Sequence, residues 1–265
     1  MYTRPTAPQE ITGVLDDAFR LFLASLKTVL PLSFLASVIT ALPQAAITLM
    51  GINPETADFS ATLAIVGIGV FIITLMAGIV LWAALLLQMD AFAKGQTKSL
   101  GDAVMGGLPF FLPLLVAFIV YTVGLVIGLI LLIIPGIILA VYWLQFMPAA
   151  VLERAGPIGC LTRSYQLIRG SWWRTAILYS VWGVIIGVVY SIVIVFVIGG
   201  IIGTGIAADE LDTTTTNLLD LVIGPILSTF ILPFGYAFML AIHHDLVMRK
   251  EGGDLAARIN NVVSA

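Results

Sequence analysis

Residues 121–145 read YTVGLVIGLILLIIPGIILAVYWLQ and hold no ionisable side chain other than two tyrosines. They lie inside a longer run, 103–152, that is free of Asp, Glu, Lys and Arg. A helix rises ~1.5 Å per residue, so about 20 apolar residues cross a hydrocarbon core ~30 Å thick. The run is too long for one crossing. The Pro135-Gly136 pair in LLIIPGIIL supplies a turn, because proline cannot continue the helical hydrogen-bond ladder and glycine tolerates a reversal. A membrane hairpin turning at Pro135-Gly136 is expected.

Working outward, further charge-free runs occupy 28–54, 59–89, 175–208 and 221–244, the last behind Asp220. The expected fold class is an all-α polytopic membrane protein with six transmembrane helices. The spans fall at about 28–50, 63–88, 110–133, 136–152, 174–199 and 218–246, in a single domain over 1–265. Span four is the shortest, and full crossing and partial re-entry both stay open. The fifth can end early, since GGIIGTG (199–205) is a poor helix interior.

Composition agrees. Of 265 residues, 60% are hydrophobic and 10% charged, with a mean hydropathy of +1.10. Soluble domains carry about 25% charged residues, so part of this chain's solvent is lipid. A net charge of −3, without a basic patch bearing aromatics, implies no nucleic-acid partner. The lone Cys160 excludes a disulfide framework and a CxxC metal knuckle. MYTRPTAPQE lacks the pattern of a cleaved signal peptide, so the first span is expected to direct insertion.

The basic residues test the span count. Arg4, Arg20 and Lys27 precede span one; Lys94 and Lys98 lie between two and three. Arg154, Arg163, Arg169 and Arg174 lie between four and five; Arg249, Lys250 and Arg258 follow six. These are all 12 Lys and Arg of the chain, and six crossings put every one on the same face. The positive-inside rule makes that face cytoplasmic, with both termini inside. The opposite loops, GINPETADFSAT and AADELDTTTTN, hold only acids: Glu55, Asp58, Asp209, Glu210 and Asp212.

Amphipathic interfacial helices are expected before the hairpins, at 8–27 and 157–170, with a cytoplasmic tail at 247–265. In the first, Ile11, Leu15, Ala18 and Phe22 form an apolar stripe, and Asp16 and Arg20, four apart, suit an ion pair. In the second, Ile158, Leu161, Tyr165 and Ile168 form the stripe, and Thr162, Gln166 and Arg169 the polar line. A copy between them, SLGDAVMGGLPFF, is weaker and broken by glycine. Such segments read as connectors at a half-wet boundary or, more sharply, as a surface that senses lipid packing or docks a partner. Trp172 and Trp173, beside Arg174, fit interfacial anchors at headgroup level. Gly124 and Gly128, and Gly183 and Gly187, place small residues on one helix face, where backbones can approach closely. Packing within the bundle and a homodimer both fit these pairs.

Three stretches carry a family resemblance. RPTAPQEITGVLDDAFRLF begins the chain. IPGIILAVYWLQFMPAAVLERAGPIGCLTRSYQLIRGSWWR holds the Pro-Gly pair, Glu153, Gly156-Pro157, Ser164, Arg169-Gly170 and the tryptophans. HHDLVMRKEGGDL closes the last span, with His243 and His244 where the family usually has an aromatic pair. The chain resembles the bacterial membrane-domain family named after glycerophosphoryl diester phosphodiesterase, as a stand-alone member without the catalytic domain. The resemblance implies a six-span bacterial inner-membrane protein linked to lipids or membrane stability.

The inventory of chemistry is thin, and no catalytic, cofactor-binding or metal-ligating residue is expected. A soluble phosphodiesterase needs separated carboxylates and histidines around a metal. The only two histidines here, His243 and His244, are adjacent. Neighbours on a helix point ~100° apart, so the two are not expected to share one metal. A site using one of them would need Asp245 and ligands such as Glu153 or Glu251. The plainer reading is a helix leaving lipid: Asp245 pairs with Arg249, Arg249 and Lys250 meet anionic headgroups, and Gly252-Gly253 ends the helix. Glu153, compensated by Arg154, Arg163 or Arg169, reads as a charged bridge between the central connector and the bundle, or as a substrate-coupling carboxylate. Within the spans the polar groups are Gln44, Tyr121, Gln145, Tyr179 and Tyr190, and a trapped glutamine more often bonds a neighbouring helix than a substrate.

Three functions remain. The first is a non-enzymatic membrane protein that interacts with lipids, a second copy or another membrane protein and supports envelope homeostasis. The second is a small uncoupled permease, channel or lipid transporter. The third is a membrane-embedded hydrolase, which ranks last because no base, nucleophile and charge stabiliser stand together.

Overall fold

A computed structural model of the chain describes residues 2–49, 61–203 and 213–263, and all regular structure among them is helical. The helices are α1 (Ile11–Leu49), α2 (Ala61–Ala93), α3 (Leu100–Gly107), α4 (Phe111–Leu131), α5 (Ile133–Tyr142), α6 (Phe146–Leu152), α7 (Gly159–Ile168), α8 (Trp172–Gly203) and α9 (Thr213–Val263), with a 3₁₀ turn at Leu108–Phe110. Six helical stretches are long and apolar enough to cross a membrane: Ile11–Thr48, Ile65–Ala93, Leu100–Leu131, Ile133–Leu152, Trp172–Val197 and Leu221–Gly252. The protein is an all-α, multi-pass membrane protein. The loop acids Glu55, Asp58, Asp209, Glu210 and Asp212 lie outside the described residues.

α1 and α9 form the spine, packed antiparallel along their length. The segment 8–27 is not a separate helix; it runs into the first span as α1. A single buried stripe explains this, because Val14, Ala18, Leu21, Ser25, Val29, Leu32 and Ala36 recur on one face across the expected boundary. That stripe is rotated from the expected one: of Ile11, Leu15, Ala18 and Phe22, only Ala18 is fully buried. Asp16 and Arg20 pair at 2.9 Å on the outer side. Pro233 lies inside α9 and has no N–H for the carbonyl of Thr229. Ser33 of α1 donates its hydroxyl to that freed carbonyl at 2.8 Å, so a proline defect in one helix becomes a cross-link to the other.

α2 ends at Ala93, and Gly95, two residues on, has a φ of +73°, in the left-handed region that favours glycine. Gln96 N–H then donates to the carbonyl of Ala91 at 2.8 Å, and Ser99 caps α3 by accepting from Asp102 N at 3.1 Å. α3 folds back onto α2. Its last residue must be glycine, since a Cβ on Gly107 would stand 2.5 Å from the carbonyl oxygen of Val80.

The α4–α5 hairpin turns three residues before the expected Pro135. The break is Leu132, extended at φ −164° and ψ 136°, while Pro135 and Gly136 sit in the first turn of α5. Proline is tolerated there because first-turn N–H groups have no helical partner. Gly136 is needed for close approach: a Cβ on it would lie 2.8 Å from Leu129 N. Span four, Ile133–Leu152, is broken at 143–145 into α5 and α6.

Three further expectations change. α7 buries Cys160, Leu161, Ser164, Leu167 and Ile168, so Leu161 and Ile168 of the expected stripe face the bundle, while Ile158 and Tyr165 are 67% and 39% exposed. Small Cys160 and Ser164 let α7 lie close against the bundle, where a stripe judged by large apolar residues misses them. Gly252-Gly253 does not end α9, which continues to Val263; glycine costs a helix interior about 1 kcal/mol but does not compel a stop. Nor does GGIIGTG shorten α8, which runs to Gly203.

Burial is concentrated towards one end of the bundle. Leu85, Leu86, Met89, Leu167, Leu240, Ile242 and Leu246 are fully buried there. No residue of α8 from Tyr179 to Val197 is buried, and Ile130, near the α4–α5 turn, is 79% exposed. These bare apolar surfaces suit hydrocarbon as their solvent.

Candidate functional site

The charged side chains converge where the core is densest. Asp245 is 3% exposed on α9, and its two oxygens are fully engaged. Oδ1 accepts from Gln9 N at 2.9 Å. Oδ2 accepts from Arg174 Nε at 3.1 Å and Arg249 Nε at 2.9 Å. Both guanidiniums also donate to the Gln9 carbonyl, Arg174 at 2.5 Å and Arg249 with it. One carboxylate thus ties the N-terminal segment, α8 and α9 together through charge-assisted bonds. The expected Asp245–Arg249 pair is present; Gln9 and Arg174 were not foreseen as its partners.

Beside this bridge lies a cavity of about 300 Å³ lined by Asp90, Lys94, Glu153, Arg163, His243 and His244, among others. Glu153, directly after α6, is bonded by Arg163 Nε at 2.5 Å and stands 3.2 Å from His243 Nε2. Arg163 also reaches Glu251 at 2.5 Å. Of the three arginines able to compensate Glu153, Arg163 is the one placed to do so. Arg169 is exposed, and its backbone carbonyl accepts from Lys250 Nζ at 2.5 Å. His244 Nε2 faces Asp90 Oδ1 at 3.8 Å, beyond hydrogen-bond range, while Lys94 grips Asp90 Oδ2 at 2.5 Å. The adjacent histidines diverge as helical neighbours must, and each meets a carboxylate from a different element. Their Nδ1 atoms are buried without a partner among the described residues. Asp90 and Lys94 were missed by sequence reasoning, though MDAFAK (89–94) does show an acid and a base four apart at the end of an apolar helix.

Among the described residues, no three His, Cys, Asp or Glu side chains gather as metal ligands would. Burial works to raise the Glu153 pKa, but hydrogen bonds from His243 and Arg163 outweigh it and hold the carboxyl below its ordinary range. A folded-state pKa below the unfolded one contributes stability that is complete above the ordinary carboxylate pKa. That stability is lost as the pH falls through the depressed value. Glu153→Gln should therefore flatten the acid limb of the unfolding profile at pH values below the ordinary carboxylate range. Parallel limbs for the variant and the parent would contradict this assignment.

Gln145 sits deeper, at the break in span four, and is fully buried. Its N–H donates to Ser164 Oγ at 3.0 Å, and the same hydroxyl donates to the Tyr142 carbonyl at 2.7 Å. Ser164 of α7 therefore supplies the polar partners that the interrupted ladder lacks. The Gln145 amide donates to Tyr179 Oη at 2.9 Å, joining span four to span five. The Trp172 indole donates to the Ile138 carbonyl at 3.2 Å, and Trp173 is 75% exposed. The glycine pairs separate. A Cβ on Gly124 would lie 2.6 Å from the Trp143 ring and one on Gly128 3.0 Å from Gly136 Cα, whereas Gly183 and Gly187 have nothing within 4 Å.

Comparison with known protein families, with curated proteins and with solved structures finds no match to this chain.

Proposed function

We propose that the chain is a non-enzymatic multi-pass protein of the bacterial inner membrane, with both termini cytoplasmic, that interacts with lipids or membrane partners and supports envelope homeostasis. The resemblance to the phosphodiesterase-associated membrane family is part of this proposal. One observation carries it: the polar groups at membrane depth are uncharged, and several bond to their own or neighbouring helices, while Thr74 Oγ1 and Gln145 Oε1 have no partner among the described residues. Ser33 and Ser37 give their hydroxyls to backbone carbonyls, as Thr229 does, and Gln145 gives its amide to Tyr179. An ion-coupled carrier places an ionisable group at that depth, and the apolar runs hold no Asp, Glu, Lys or Arg. A wholly apolar lateral cleft of about 170 Å³, lined by Ile79, Trp82, Leu114, Phe118 and Met147 with others, supports hydrocarbon contact.

The test is flux. Purified protein in sealed liposomes should pass no ions or small solutes above the protein-free level, and lipid should co-purify with it. Flux that disappears in Gln145→Ala or Glu153→Ala would replace this reading with the permease. Cleavage of a phospholipid or glycerophosphodiester would replace it with the hydrolase.

A further inference from the structure

The bridge at Asp245 is overcharged. Arg174 and Arg249 close on its single carboxylate, and no other acid among the described residues pairs with either guanidinium. Their surplus positive charge faces a second basic feature. Lys250, exposed on the next position of α9, donates a hydrogen bond to the neutral Arg169 carbonyl and forms no ion pair among the described residues.

Against these residues lies a cavity of about 580 Å³, lined by Thr6, Pro8, Ser171, Met248, Arg249 and Lys250, among others. Its charged lining among the described residues is of one sign. Two other polar cavities are mixed: Asp16 and Asp17 accompany Arg4 and Arg20 in one, and Asp90, Glu153 and Glu251 accompany Arg4, Lys94 and Arg163 in the second. The cavity also sits at a boundary. Ser171 directly precedes Trp172 and Trp173, an indole pair suited to headgroup depth, and α8 then runs on as bare apolar surface. A ligand placed here would keep its charged end against Arg249 and Lys250 and its apolar body along α8.

We propose that this cavity binds the phosphate headgroup of an anionic phospholipid, with Lys250 and Arg249 as its cationic contacts. The proposal rests on the lipid-interacting reading above and names the lipid class and its seat. Anionic leaflets attract each nearby Lys or Arg enough to change binding about fivefold.

The test uses the full-length protein in nanodiscs containing equal phosphatidylglycerol and phosphatidylcholine, with retained lipid counted by native mass spectrometry. The wild type should enrich phosphatidylglycerol. Lys250→Ala should lower that enrichment about fivefold, Lys250→Glu should abolish it, and Lys250→Arg should keep it. Lys250 is exposed, and an unchanged melting temperature in the three variants will verify that each is folded. Equal retention of the two lipids by the wild type, or undiminished enrichment in Lys250→Glu, would overturn the site. Displacement by millimolar inorganic phosphate would reassign it to a soluble anion and overturn the lipid. Loss of headgroup preference with lipid still bound overturns this seat alone, whereas solute flux or lipid turnover overturns the functional reading and leaves the preference standing.

Discussion

Asp245→Ala should cost the protein about 3–5 kcal/mol of stability, the usual penalty for removing one member of a buried charge cluster. The two guanidiniums it holds are only 19% and 32% exposed, so neither can recover full hydration in place. The Gln9 N–H loses its acceptor as well. Three chain segments then come apart together, because the carboxylate is their common partner. Asp245→Asn keeps an acceptor but not the charge and should fall between the parent and the alanine variant. Arg249→Ala should be milder, about 1 kcal/mol, since Arg174 still neutralises the carboxylate and Arg249 is the more exposed of the two. Equilibrium unfolding in mixed micelles measures all three. A loss under ~1 kcal/mol for Asp245→Ala would mean that water, not the aspartate, carries the two arginines.

The membrane architecture was legible in the sequence because it rests on an inventory that burial cannot alter. Apolar runs near 20 residues can satisfy their backbone in lipid only as helices, and the absence of Lys and Arg from those runs marks their ends. Turn positions were less legible. Pro135 signals an end to hydrogen bonding, but it serves as well in the first turn of a helix as between two helices, and only the chain path shows that Leu132 breaks. Helix faces were less legible still. A stripe read from large apolar residues points towards lipid or protein alike in a membrane, so α1 was read on a neighbouring face and α7 was right at Leu161 and Ile168 but not at Ile158 and Tyr165. Small residues such as Ser164 and Cys160 decide the close side, and their composition gives no sign of it.

The site was half legible for a related reason. Asp245–Arg249 and Asp90–Lys94 are local, four residues apart, and follow from helical geometry. His243–Glu153, Arg163–Glu251 and Arg174–Asp245 join residues 71 to 90 positions apart in the chain. No periodicity reports such pairings. What the sequence does contain is a hint of their necessity: a chain with 10% charged residues that collects acids and bases at the ends of apolar helices must neutralise them against one another.

The second large effect is a contrast between two pairs of glycines that look alike in sequence. Gly128→Leu should destabilise the α4–α5 hairpin by about 1–3 kcal/mol or more, the cost of overpacking a close contact. The obstruction is backbone, at 3.0 Å from Gly136 Cα and 3.4 Å from Gly136 N, which cannot rotate away as a side chain can. Gly124→Leu meets a Trp143 ring instead, and should cost less wherever that indole can shift. Gly187→Leu, made on the open face of α8 with nothing within 4 Å, should leave the folded protomer unchanged and gain slightly from replacing glycine in a helix interior. Unfolding measurements on the three variants therefore separate intrachain packing from open surface. If Gly187→Leu instead lowers stability in a manner that depends on protein concentration, or shifts the sedimentation of the purified protein, α8 meets a second copy through that face. The order Gly128, Gly124, Gly187 in destabilisation is the result that the hairpin geometry requires, and a Gly128→Leu variant as stable as the parent would show that α4 and α5 do not pack at this distance.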